Sequence, residues 1–171
     1  MDRWRLPVAI TVVIAGGGGA GKTTLVRAVS GARPLRTEEP SPGGDGWTSV
    51  PVDVGRLTIG DQYTVYLLDT PGPVWDQVAG GATGALVVAD GRRPEGCRPA
   101  VEYFTARHTP FVVAVNCFEG ARRPAEEEVR QALGLAAGVP VMACDARRRA
   151  SGTQVLIALL EHALARAATP A

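Results

Sequence analysis

The sequence predicts an α/β fold: a mostly parallel six-stranded sheet with one antiparallel edge strand and helices on both faces. Three observations carry that prediction. Apolar, β-branched runs alternate with helical segments, a glycine-rich turn joins the first run to the first helix, and Gly60-Asp61 separates two strand-like stretches.

Val8 to Ala15 is nearly continuous in Val, Ile and Ala, the pattern of a strand buried on both faces, so it reads as the central first strand. Lys22 to Ser30 reads as a helix leaving the glycine-rich turn. Gly31 to Trp47 holds three prolines, four glycines and mixed charge, and reads as a long surface loop, a feature that inside a compact domain usually carries function. Val50 to Ile59 and Tyr63 to Leu68 are strand-like and form an antiparallel hairpin around Gly60-Asp61. Gly84 to Asp90 and Phe111 to Asn116 are buried-type strands, and Val139 to Cys144 is a shorter one. Pro124, three glutamates from Glu126 and the closing Gly134 mark a helix by its end chemistry. Ser151 with Gln154 reads as a capping box ahead of a terminal helix lined by Val155, Leu156, Leu159, Leu160 and Leu164.

The 171 residues suit one domain, 1–171, with a substantial core. A net charge of +1 supplies no basic surplus to hold a nucleic-acid backbone. Cys97, Cys117 and Cys144 have no metal-ligand spacing and suit a reducing compartment. Arg3, Arg5 and the apolar run behind them resemble a secretory signal. Because that run passes directly into a phosphate-binding motif, it reads as a strand of a cytoplasmic protein with no transmembrane segment.

The motif is Gly16-Gly17-Gly18-Gly19-Ala20-Gly21-Lys22-Thr23, which fits G-x-x-x-x-G-K-[ST] between a strand and a helix and places the chain among P-loop NTPase folds. Glycines turn the backbone so that its N–H groups face phosphate oxygens, and the helix start adds partial positive charge. Lys22 is a candidate for the β- and γ-phosphates, Thr23 for Mg²⁺, and Thr24 for the same nucleotide site. Lys22 is also the only lysine, beside seventeen arginines. A compact ammonium fits between phosphates where a planar fork does not.

Leu67-Leu68-Asp69-Thr70-Pro71-Gly72 then ends a hydrophobic strand in the D-x-x-G pattern of GTPases, with Asp69 toward Mg²⁺ and the Gly72 N–H toward the γ-phosphate. With Leu35-Arg36-Thr37-Glu38, Asp53-Val54-Gly55-Arg56, Phe111 to Phe118 and Cys144-Asp145-Ala146-Arg147, these stretches resemble the small Ras-like GTPases, and more closely the actinobacterial conservon GTP/ATP-binding proteins, over nearly the whole chain. The resemblance implies a switch that binds GTP/GDP with Mg²⁺ and works with a roadblock-type protein, a sensor-kinase-like protein and a further small operon partner, in the cytoplasm or at a membrane through those partners.

It also makes Gly31 to Ser49 the first switch, with the hydroxyl of Ser49, or alternatively Thr48, closing over Mg²⁺. Asn116 opens the guanine-reading motif N-K-x-D, yet Cys117 replaces the lysine and Glu119 stands in the aspartate position. Glu119 keeps a carboxylate for the guanine N1–H and amino group, with longer reach, so guanine is favoured and ATP stays open. Asp145, Ala146 and Arg147 resemble the last motif, the Ala146 N–H meeting the base oxygen and the Arg147 stem covering the ring. Glu119 and Arg147 fit a solvated loop equally well.

Pro73 occupies the place where GTPases usually put a water-orienting glutamine, and Gln77 is no obvious substitute. Lys22 and Gly72 are then the catalytic candidates, with slow or absent hydrolysis by the isolated chain unless a partner or Arg36 completes the site. A non-hydrolysing interaction module is the alternative, and a small-molecule kinase fits poorly with the hairpin before Asp69. Trp47 and Trp75 read as core residues near the switches. The arginine clusters at Arg92-Arg93, Arg122-Arg123 and Arg147 to Arg149 read as solvated faces.

Overall fold

The computed structural model describes residues 7–31, 35–41 and 48–169. Seven strands form one sheet in the order β2-β3-β4-β1-β5-β6-β7. They are β1 (Val8–Gly16), β2 (Leu35–Ser41), β3 (Thr48–Ile59), β4 (Tyr63–Asp69), β5 (Gly84–Asp90), β6 (Phe111–Asn116) and β7 (Val141–Cys144). The helices are α1 (Lys22–Ser30), the short α2 (Trp75–Val78), α3 (Arg98–Ala106), α4 (Glu126–Leu133) and α5 (Arg149–Ala168).

The mostly parallel sheet of the expected class is present, with β3 as the strand that runs against its neighbours on both sides. One strand lies where a loop was expected. Leu35–Ser41 pairs antiparallel with β3 from Leu35↔Val54 to Ser41↔Thr48, and so covers what would otherwise be the sheet edge. Its glutamates and Pro40 are poor formers of an interior strand, but such residues are tolerated at an edge, and the backbone of β3 supplies the partner. Residues 32–34 and 42–47 of the expected first switch, Trp47 among them, lie outside the described residues.

The apolar runs are buried on both faces because each feeds two cores. On one face Val12 and Ile14 of β1 join Leu86 and Val88 of β5 and Val112 and Ala114 of β6 against Leu25, Val26 and Val29 of α1 and Val155 and Leu159 of α5. On the other, Val13, Ala15, Val87 and Val113 pack against Ala100, Val101 and Phe104 of α3 and Val129 of α4. Apolar burial on this scale, at about 25 cal/mol per Å², is what offsets the ordering entropy of the chain.

Helix α5 departs from its sequence reading. It begins at Arg149, so Ser151 lies inside it and does not cap it. The Ser151 hydroxyl instead accepts the Asp145 N–H at 2.9 Å. The buried stripe is Gly152, Val155, Leu156, Leu159 and Ala163, while Leu164 is 70% exposed. Trp75 is buried, as a core residue should be, with its ring 5.1 Å from Tyr103 and 5.6 Å from Phe104.

Candidate functional site

Parallel pairing brings the carboxyl ends of five strands into one row. Ile14 of β1 is level with Asp69 and Leu86, Asp90 with Asn116, and Asn116 with Cys144. The phosphate turn, the D-x-x-G stretch and the loops after Asn116 and Cys144 hang from that row, the usual position for a ligand crevice in an open α/β sheet.

The glycine-rich turn leaves β1 at Gly16, whose φ of 144° is foreign to L side chains and where an added methyl would stand 2.1 Å from the Val88 carbonyl oxygen. Gly21 has φ 102°, and a methyl there would meet Asn116 Nδ2 at 2.4 Å. Lys22 folds back over the turn, its ammonium donating to the carbonyls of Gly17 at 2.9 Å and Gly16 at 3.4 Å. At the start of α1 the Thr23 hydroxyl donates to Asp69 Oδ2 at 2.7 Å. A hydroxyl and a carboxylate held this close form an oxygen donor pair suited to Mg²⁺, which takes few protein ligands and completes its shell with phosphate and water. Among the described residues no group of three or more His, Cys, Asp or Glu could hold a metal alone, so a cation here would depend on the ligand.

Burial pushes the Asp69 carboxyl above its ordinary value, and the Thr23 bond and the Lys22 charge oppose that rise without cancelling it. Asp53, paired with Asp69 across β3 and β4, adds to the rise. For a carboxylate with a folded pKa raised above the unfolded value, stability falls as pH rises between the two. Asp69→Asn is therefore expected to raise the urea midpoint of the ligand-free protein at pH 7, a gain that fades as pH falls toward the ordinary value of 3.8. Equal midpoints at pH 7 would show that the carboxylate is already compensated.

Asn116, 5% exposed, joins the three motif loops. Its Nδ2 donates to the Ala20 carbonyl at 2.9 Å, and its Oδ1 accepts the Ala146 N–H at 3.0 Å. The Ala146 N–H assigned above to a base oxygen is thus engaged within the protein here. Arg147 lies beside it, with Nε and Nη2 each 3.0 Å from an oxygen of Asp145 and Nη1 3.3 Å from Glu119. These bonds from Arg147 hold the Asp145 carboxyl below the ordinary range. Glu119 is 87% exposed, so its contact with Arg147 closes the mouth of the cleft only loosely.

Gly19, Gly21, Lys22, Thr23, Thr24, Asn116, Glu119, Ala146 and Arg147 line a cleft of about 480 Å³. Cys117 and Phe118 line it too. Neither was given a binding role from sequence, although both follow directly on Asn116. A larger apolar groove, about 760 Å³, opens at the other end of the sheet between Ile10, Ile59, Tyr63 and Leu160. It contains none of the motif residues, most of which gather in or beside the smaller cleft.

Gly72 opens a 3-10 turn, Gly72–Val74, that carries Pro73 and runs into α2. The Trp75 indole N–H donates to the Thr70 carbonyl at 3.1 Å and pins this turn against the core. The Thr70 hydroxyl beside Asp69 is buried and has no hydrogen-bond partner among the described residues. The backbone of Thr48 and Ser49 starts β3, while their side chains and that of Arg36 lie outside the described part of the chain. The arginine clusters lie on exposed faces, as read from sequence, and within them Arg92 is paired with Asp90, Arg122 with Glu128, and Arg147 with Asp145.

No family model and no curated protein matches the chain. Solved structures do. The G domain of the T. maritima FeoB iron transporter is 22% identical, with 92% of this chain and 99% of that one covered at a TM-score of 0.64. The cytosolic domain of the same transporter in a GDP form is 20% identical at a TM-score of 0.67, with 93% of this chain and 65% of that one covered. An S. thermophilus NFeoB mutant bound to GDP is 18% identical at 0.66, with 90% and 61% covered. The chain therefore spans an isolated G domain almost completely but less than two thirds of these longer proteins. The likeness is one of fold, and the fold is that of a P-loop GTPase G domain.

Proposed function

We propose that this chain, as a single domain, is a guanine-nucleotide switch with slow or partner-dependent GTP hydrolysis. The observation that carries the reading is Asn116, which ties the phosphate turn at Ala20 to the loop at Ala146 and so builds one continuous crevice long enough for a base and its phosphates. The FeoB-type domains of like fold are described with GDP and GMPPNP, which supports a guanine ligand.

In this reading the N–H groups of Gly16 to Thr24 and the Lys22 ammonium hold the phosphates. Thr23, Asp69 and Ser49 hold Mg²⁺, which when bound neutralises phosphate charge. Asn116, Glu119, Asp145, Ala146 and Arg147 hold the base, the Ala146 N–H exchanging its bond to Asn116 for one to the base, and the Gly72 N–H senses the γ-phosphate. Water attack on the γ-phosphorus breaks its bond to the bridging oxygen and yields GDP and phosphate. Pro73 offers no side-chain group to orient that water, hence the slow rate. The conservon resemblance supports a bacterial signalling role in the cytoplasm, with a roadblock-type protein as partner. Among the described residues no helix is long and apolar enough to cross a membrane.

The test is titration calorimetry with GDP, GTP and ATP in Mg²⁺, together with phosphate release over hours. Tight guanine binding with slow release is the expected result, and failure of all three nucleotides to bind would overturn the proposal. Pro73 and the pinned Trp75 turn favour a second reading, an interaction module that exchanges nucleotide without turnover, and binding without any phosphate release would select it.

A further inference from the structure

The phosphate turn has a second neighbour that its motif does not contain. After β5 the chain turns sharply, with the Arg93 N–H donating to the Asp90 carbonyl at 2.9 Å. The two arginines of this turn meet different fates. Arg92 is engaged: Nη2 and Nε lie 2.8 and 3.0 Å from the Asp90 carboxylate, and the guanidinium sits 3.9 Å over the Phe118 ring. The Arg93 guanidinium makes no hydrogen bond or ion pair with a described residue, and it lines a cleft of about 280 Å³ whose other wall is Gly17 and Gly18 of the phosphate turn.

Gly17, Gly18 and Gly96 line that cleft. The Gly96 carbonyl comes so near Gly17 that a methyl there would lie 3.0 Å from it, while a methyl on Gly18 or on Gly96 itself would meet nothing within 4 Å. Arg93 and Gly18 thus share one cleft, to which Gly18 contributes no side chain. The carboxylates lining the cleft are Asp90, already held by Arg92, and Glu95, which forms no ion pair with Arg93. On the inner side of the turn Lys22 is, among the described residues, the one cation lining the nucleotide cleft besides Arg147, which is tied to Asp145. A triphosphate brings more terminal charge than a diphosphate, and a guanidinium fork answers phosphate oxygens in pairs.

We infer that Arg93 is a second cation of the phosphate site: it reaches across Gly18 to the terminal phosphate of a nucleoside triphosphate and sets the preference for triphosphate over diphosphate. This rests on the nucleotide reading given above, and the experiment separates the two. Wild-type protein, Arg93→Ala and Arg93→Lys are titrated with GDP and with a non-hydrolysable GTP analogue in Mg²⁺, and their thermal melts are compared. Arg93→Ala is expected to weaken analogue binding about tenfold while leaving GDP within about twofold, with Arg93→Lys between, as for the loss of one charge-assisted contact. The melts should nearly coincide, since Arg93 is exposed and acts on Asp90 only through its charge, while Arg92 keeps the hydrogen bonds to that carboxylate. Unchanged analogue affinity in Arg93→Ala, or equal losses for both nucleotides, overturns the assignment while the nucleotide reading stands. Wild-type protein that binds neither nucleotide overturns both.

Discussion

Gly16→Ala is expected to cost about 4 kcal/mol or more, a large share of the roughly 5–15 kcal/mol that domains of this size have in total. Two effects add. A φ of 144° strains any L side chain, and the new methyl would lie 2.1 Å from the carbonyl oxygen of Val88, itself fully buried on the neighbouring strand. Neither β1 nor β5 can retreat without opening the cores on both faces of the sheet. Gly18→Ala is the fitting comparison, because a methyl there meets nothing within 4 Å. Urea unfolding of both variants checks the claim, and a Gly16→Ala midpoint equal to that of Gly18→Ala would defeat it.

Lys22→Ala should have the opposite profile, with a small change in stability and a large one in binding. In the ligand-free fold the ammonium bonds two carbonyls of a partly exposed turn, and water can replace it there. Against bound phosphates the loss of a charged donor amounts to about 3 kcal/mol, a factor of roughly 100 or more in affinity for GDP and GTP alike. Lys22→Arg should fail to restore it, since the fork does not fit the place of a compact ammonium. Titration calorimetry decides this, and GDP affinity within about threefold of wild type in Lys22→Ala would remove Lys22 from the phosphate site. Arg93→Ala differs from Lys22→Ala in sparing GDP, so the pair separates the two cations.

Much of this fold was legible because its strands are buried on both faces. Gly84 to Asp90 and Phe111 to Asn116 were bounded correctly from apolar continuity alone, and α1 from the motif that starts it. Strand β2 was not legible, because Leu35–Ser41 has neither alternation nor β-branched runs and owes its conformation to the backbone of β3. Its charges and proline are edge-strand features that also describe a loop. Ser151 was misassigned for a similar reason: its hydroxyl answers the Asp145 N–H, six residues upstream, rather than a helix terminus. Residue types and spacing singled out Lys22, Thr23, Asp69 and Asn116, which the fold brings to the same end of the sheet. Spacing could not tell that Ala146 bonds Asn116, nor that Gly96 lies against Gly17, since both depend on how separate loops meet.

The helix that begins at Lys22 is held between two backbones with almost no clearance. A methyl on Gly152 of α5 would fall 2.4 Å from a Val29 methyl, and one on Gly55 of β3 would fall 2.5 Å from a Val26 methyl. Two hydrogen atoms, on residues far from any ligand, thus fix how deep α1 sits and where its first turn presents Lys22 and Thr23. The chain's tolerance for change near the crevice is therefore set as much from behind the helix as from within the crevice. A lineage that enlarged either glycine would have to shrink Val26 or Val29 in the same step.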